Sequence, residues 1–321
     1  MIYSNIPYVK KQVSRLVHGT IMVTVSKKEE SFKLLDSMYE LGVNAFDTAA
    51  VYGDGERLIG MWLKDRGIRD NVVVLTKGAH HNAWRKRVTP YDITADVHDS
   101  LAKLMCDYID IYILHRDDPE VPVGPIVETL NKLHKEGKIG AFGGSNWTHQ
   151  RLAMANEYAK ENGLIPFSVS SPNYGLAEQV DNPWGPGCVS LSGPKEIDAR
   201  KWYSITNMPI FAYSSLGRGL FSGRLKSSDP DQALKLFEQP TLQGYFYPVN
   251  IRRLERVEIM AQSKGLSVPQ IAMAWLMNQP LNVFALVGAF KADEMRENIE
   301  ALNLKLTQEE MDWLDLQRDS I

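Results

Sequence analysis

Residues 42–60 read GVNAFDTAAVYGDGERLIG. An apolar run, 43–47 (VNAFD), closes on an acid, passes through Thr48-Ala49-Ala50-Val51 to Tyr52, and gives way after a Gly-Asp-Gly turn to helical spacing over 55–66. This is one strand, loop and helix unit, with an acid and a phenol on the loop side of the strand. Working outward, the same alternation recurs. Further short runs stand at 15–19 (RLVHG), 72–76 (VVVLT), 109–114 (IDIYIL), 139–144 (IGAFGG), 167–170 (FSVS), 209–213 (PIFAY) and 283–287 (VFALV). Strands alternating with helices predict a parallel sheet, and eight repeats fit a (β/α)8 TIM barrel in the α/β class.

Helical periodicity is read over 28–41, 55–66, 91–105, 123–136, 148–162, 268–278 and 292–302, with Ile271, Ala274 and Trp275 on one apolar stripe. Gly42, Gly67, Gly137, Gly163 and Gly265 fall where helices should end. Thr307 to Glu310 (TQEE) reads as a capping box opening an extra C-terminal helix to about Arg318. No linker divides the chain, so 1–321 is expected to be a single domain. The stretches 175–200 and 224–250 are too long and too rich in glycine, proline and aromatics for plain connectors, and are expected to be substrate loops.

The 321 residues are 44% hydrophobic, and 36 basic against 39 acidic side chains leave a net charge of -3. That balance excludes disorder and gives no electrostatic footprint for nucleic acid or a membrane surface. Two cysteines, Cys106 and Cys188, make neither a disulfide framework nor a four-cysteine zinc site. With no signal-like start and no apolar stretch of membrane-spanning length, the expected location is cytoplasmic, without a metal.

In a parallel barrel the active site lies at the C-terminal ends of the strands. There the chain carries Asp47, Lys77 and His115 on three successive strands, with Tyr52 five residues beyond Asp47. Asp47 is in phase with Val43 and Ala45, Lys77 with Val73 and Leu75, and His115 with Ile111 and Ile113. Parallel strands are apolar on both faces, so phase leaves open which face is inward. An isolated buried Lys or Asp is costly, whereas the two facing each other offset part of that cost.

At these residues, 42–60 together with Lys77 and His115, the chain resembles the aldo-keto reductase superfamily, and the resemblance runs nearly its whole length. It implies a nicotinamide cofactor, reversible reduction of an aldehyde or ketone to an alcohol, and a catalytic tetrad of Asp47, Tyr52, Lys77 and His115. The chemistry agrees. An alkoxide formed by hydride addition needs a proton, Tyr is a sluggish acid at neutral pH unless a cation such as Lys77 stabilises its anion, and His115 could bond the carbonyl oxygen as it gains charge.

The resemblance further implies a cofactor site of Gly19, Thr20, Asp47, Ser145, Asn146, Ser171 and Tyr213, with Ser214, Ser215, Leu216, Arg218 and Gly219 around the pyrophosphate. Gly288, Lys291, Glu294 and Asn298 would meet the adenosine end. Ser171 stands where relatives often carry Gln. Glu294 would repel a 2′-phosphate, while Lys291 and Arg296 would attract one; NADP(H) is preferred, with NAD(H) open. Trp84, Trp147 and Trp184 are substrate candidates, with Phe221, the 245–247 aromatics, His80, His81, Arg85, Arg116, Asp117 and Asp118 near the same mouth. The substrate is a small carbonyl compound or alcohol, with sugar-derived and aromatic aldehydes among the candidates; the assembly is a monomer or small homo-oligomer. Two rival readings are a non-catalytic nicotinamide-binding regulatory subunit and a lysine aldolase forming a Schiff base at Lys77.

Overall fold

The structure, a computed structural model, describes residues 1–321. A two-stranded antiparallel hairpin, β1 (Tyr3–Ser4) with β2 (Val13–Ser14), precedes eight strands that close into one parallel barrel: β3 (Leu16–Gly19), β4 (Ala45–Asp47), β5 (Val73–Gly78), β6 (Ile109–Leu114), β7 (Ile139–Ser145), β8 (Val169–Ser171), β9 (Ile210–Ala212) and β10 (Val283–Val287). Each of the eight expected runs overlaps a barrel strand. The helices are α1 (Lys28–Glu40), α2 (Gly55–Arg66), α3 (Pro90–Leu104), α4 (Val123–Lys135), α5 (His149–Glu161), α6 (Ile197–Thr206), α7 (Ala233–Leu236), α8 (Gln239–Tyr245), α9 (Pro248–Lys264), α10 (Val268–Met277), α11 (Ala292–Ala301) and α12 (Gln308–Leu314).

The structure resolves which face is inward. Val17, Ala45, Val73, Leu75, Ile111, Ile113, Ala141, Val169, Phe211, Phe284 and Leu286 form one buried cluster drawn from every strand, while their strand neighbours Leu16, Phe46, Val74, Tyr112, Phe142 and Ala285 join the cluster beneath the helices. Asp47 and Lys77 continue the inward rows of Ala45 and of Val73 and Leu75. The hairpin adds Ile6 and Val13 to the inner cluster, so it closes the end of the barrel away from these residues.

Four helices lie wholly or partly where the sequence pattern predicts loop. α6 grows out of the end of the 175–200 stretch, and α9, seventeen residues long, begins inside the 224–250 stretch and runs on well beyond it. Only its closing Gly265 is legible in the sequence. The 224–250 stretch also holds α7 and α8. The capping box of Thr307 and Glu310 forms, but α12 stops at Leu314 rather than near Arg318.

Gly143 sits where β7 meets β8 in register with Val169. A methyl group added there would meet the Val169 carbonyl oxygen at 1.8 Å, so the strands would have to separate. Gly143→Ala should therefore cost about 1–3 kcal/mol, the range for overpacking. A lowered urea midpoint with an unchanged slope would bear this out; an unchanged midpoint would refute it.

Candidate active site

At the inner rim, Lys77 Nζ donates to Asp47 Oδ1 and, at 3.0 Å, to the Thr48 carbonyl oxygen. Both side chains are almost fully buried. The ammonium lies 5.2 Å from the centre of the Tyr52 ring, and that ring meets His115 edge-on with centroids 5.8 Å apart. His80 in turn meets His115 edge-on at 4.8 Å. The strand ends supply Asp47, Lys77 and His115, while the turn from β4 into α2 swings Tyr52 back over them. The structure thus brings all four residues together.

Their electrostatics follow from burial and from one another. Burial would lower the Lys77 ammonium, but the Asp47 carboxylate and then the Tyr52 hydroxyl outweigh it and hold Lys77 above its ordinary value. Burial raises Asp47 despite Lys77, and burial likewise pushes the Tyr52 hydroxyl above 10, with Lys77 the strongest opposing influence. His115 is driven well below 6.5 by burial and then by the charges on Lys77, His80 and Arg116, so it is neutral at physiological pH. Apart from the Lys77 ammonium beside the Tyr52 hydroxyl, neither that hydroxyl nor His115 Nε2 has a protein partner, yet neither is among the buried orphaned atoms. Both therefore open on the space at the barrel mouth.

Thr20, Ser145, Asn146, Ser171 and Tyr213 stand around this rim. Thr20 Oγ1 donates to the Asp47 carbonyl at 2.9 Å. Ser145 donates to the Ser171 carbonyl at 2.7 Å and accepts from Asn146 Nδ2 at 3.3 Å, while Ser171 donates to the Phe211 carbonyl at 2.9 Å, leaving its hydroxyl oxygen as an acceptor. Asn146, in a left-handed conformation, ties the His115 carbonyl to the Tyr213 hydroxyl and the Val189 amide. Gly19 ends β3, where it pairs with Asp47.

Beyond β9, the N–H groups of Ser214, Ser215 and Leu216 find no acceptor in the protein, and Ser214, Gly217, Arg218 and Gly219 all have positive φ. Ser215 Oγ fastens the turn to the Leu286 carbonyl at 2.6 Å. Converging free amides in such a turn form an anion-binding concavity. Two buried polar atoms without partners, Arg218 Nε and Asn298 Oδ1, lie on the same segment and on α11. Free amides and orphaned polar atoms are what a site shaped for a phosphate-bearing dinucleotide requires, and the residues present fit that group. Gly288, exposed, follows β10, and Lys291 stands at the N-cap position of α11 with its ammonium unpaired. The Glu294 carboxylate accepts the Phe290 N–H at 2.8 Å, and Arg296 is paired with Asp293.

The aromatic candidates separate. Trp147 does not line the mouth: it is fully buried, its Nε1 donates to the Arg116 carbonyl at 3.2 Å, and its ring packs 5.1 Å from Phe167. Phe221 and Tyr245 are also fully buried, Tyr245 receiving a bond from Asn173. Trp184 remains partly exposed, with the Arg218 guanidinium 4.6 Å from its ring, whereas Trp84 is 89% exposed on the loop after β5. Sequence reasoning places Arg116 at the mouth but not its contact with Cys188, 72 positions away, for which no local signal exists.

The sequence pattern of the Aldo/keto reductase family matches residues 15–317 of the chain. The chain belongs to the aldo/keto reductase family. Members of the family are oxidoreductases that use nicotinamide cofactors, and the chain is an oxidoreductase on that ground. It is 32% identical over 298 residues to the norsolorinic acid reductase of Aspergillus flavus, covering 89% of this chain and 70% of that protein. It is 29% identical to an aryl-alcohol dehydrogenase of Pestalotiopsis microspora, covering 90% and 72%. Identity to the aryl-alcohol dehydrogenase [NADP(+)] of Phanerodontia chrysosporium is 30%, covering 90% and 76%. No helix is long and apolar enough to cross a membrane.

Proposed function

We propose that this aldo/keto reductase interconverts aryl aldehydes and their alcohols with NADP(H), and that Tyr52 is the proton donor in the reducing direction. The observation carrying the reading is the buried Lys77–Asp47 pair beside Tyr52, with the Tyr52 hydroxyl and His115 Nε2 both facing the mouth. Bound nicotinamide supplies the hydride. Tyr52 gives its proton to the oxygen of the substrate, and Lys77 stabilises the phenolate left behind. Asp47 keeps Lys77 charged and oriented. His115, neutral, donates from Nε2 to the same oxygen as negative charge grows there. A Schiff-base lysine needs a neutral amine, so the raised Lys77 speaks against the aldolase reading.

Two observations support NADP(H). The Glu294 carboxylate is engaged by the Phe290 amide at the start of its own helix, and Lys291 is exposed without a carboxylate partner. The relative from Phanerodontia chrysosporium is described as NADP(+)-dependent. The test is reduction of benzaldehyde and veratraldehyde with NADPH or NADH. We expect turnover with a KM for NADPH at least about tenfold below that for NADH, one phosphate contact being worth roughly 1.5–3 kcal/mol. Equal or better use of NADH overturns the cofactor choice, and cofactor binding without turnover of either aldehyde overturns the aryl-aldehyde reductase assignment.

A further inference from the structure

Arg116, immediately after His115, is 8% exposed and has no carboxylate within ion-pair distance. Its neighbours Asp117 and Asp118 are committed elsewhere, to Arg151 and Lys86. The guanidinium meets only weak or neutral acceptors: Nη1 donates to Cys188 Sγ at 2.7 Å and Nη2 to the Trp184 carbonyl at 2.9 Å. Nε has no protein partner and is not among the buried orphaned atoms, so it opens on accessible space. That space is at the barrel mouth, because Val189, next to the Cys188 that holds Nη1, donates its amide to Asn146, the rim residue that also bonds the His115 carbonyl and the Tyr213 hydroxyl. A buried cation held by a thiol and a carbonyl, with donors to spare beside the reacting centre, lacks the anion that would balance it.

We propose that Arg116 binds a carboxylate carried by the substrate, so that the preferred substrates are carboxylate-bearing aldehydes rather than neutral ones. This rests on the carbonyl-reductase reading for its kinetic consequence, but not for binding. Guanidinium donors arranged as a fork match a carboxylate, and the low-dielectric mouth strengthens the contact. The bond from Nη2 to the Trp184 carbonyl links occupation of the site to the 175–200 loop.

Two measurements test this, with folding checked by the thermal midpoint of each variant. The first compares kcat/KM for 4-carboxybenzaldehyde and benzaldehyde in the wild type, Arg116→Met and Arg116→Lys. We expect the wild type to prefer the carboxylate at least tenfold, chiefly through KM, with the ratio collapsing toward one in Arg116→Met and partly kept in Arg116→Lys. A ratio near one in the wild type, or a loss in Arg116→Met that is the same for both aldehydes, overturns the proposal, the latter because it marks Arg116 as a purely structural clasp for the loop. The second measurement is calorimetric binding of benzoate against benzamide in the presence of NADP+. Benzoate binding that Arg116→Met abolishes upholds the anion site even where neither aldehyde is reduced, in which case only the reductase reading falls. Failure of benzoate to bind the wild type more tightly than benzamide overturns the site itself.

Discussion

Tyr52→Phe should lower kcat for aldehyde reduction by about 10²–10⁴-fold, the contribution of a positioned general acid. The change removes one oxygen and leaves the ring, so the edge contact with His115 and the Lys77 ammonium at 5.2 Å are retained. Quenching of protein fluorescence by NADPH should persist in the variant, separating loss of chemistry from loss of binding. The pH profile gives an independent check. Burial raises the Tyr52 hydroxyl above 10, so it stays protonated through neutral and mildly alkaline solution, and reduction should hold there and fall only as the phenol ionises. His115, driven well below 6.5, would as proton donor give a rate already declining on the acid side of neutrality. A profile of that kind, or near-normal turnover by Tyr52→Phe, would sink the assignment of Tyr52.

Much of this site is legible in the sequence because the relevant side chains are local to strand ends. The period of two along VNAFD and VVVLTK is enough to put Asp47 on the same face as Ala45, and Lys77 on the same face as Leu75. Which face points inward is not legible, since Phe46 and Val74 on the opposite face are as apolar as their neighbours and are fully buried beneath the helices. Contacts between strands far apart in the chain decide it, such as Phe211 stacked on Phe284 at 5.2 Å. Helix α9 escapes a sequence reading because Tyr245, Phe246, Tyr247 and Pro248 look like irregular loop, although a proline in the first turn is where a helix tolerates one. Trp147 misleads for a related reason. It follows the rim residues Ser145 and Asn146, but Asn146 adopts φ of +60°, and the chain turns the indole away from the mouth to lie against Phe167. Arg116 is visible as a residue but not as an uncompensated charge, because the commitments of Asp117 and Asp118 are settled by Arg151 and Lys86, each more than thirty positions away.

Lys77→Met should do damage of two kinds, and the two can be separated. Removing the ammonium leaves the Asp47 carboxylate buried with no counter-ion, a loss that typically costs about 3–5 kcal/mol of stability. It also removes the cation that opposes the rise of the Tyr52 hydroxyl, so reduction should fall at least as far as in Tyr52→Phe even in molecules that remain folded. The pH dependence of the stability loss has a definite sign. Burial already raises Asp47 above its ordinary value, and without Lys77 it rises further, so the folded variant binds a proton more readily than the unfolded chain. A folded state that takes up the extra proton gains stability as pH falls, and the deficit against the wild type should shrink on acidification and be greatest at neutral pH and above. The companion variant Asp47→Asn removes the opposite charge, and the double variant Lys77→Met/Asp47→Asn should recover most of the stability lost by Lys77→Met while recovering none of the activity. Urea unfolding of the three variants across pH, alongside turnover, measures both quantities. If the double variant were no more stable than Lys77→Met, the pair would not be coupled in the way its geometry indicates; if it regained activity, the role of Lys77 in stabilising the phenolate would be lost with it.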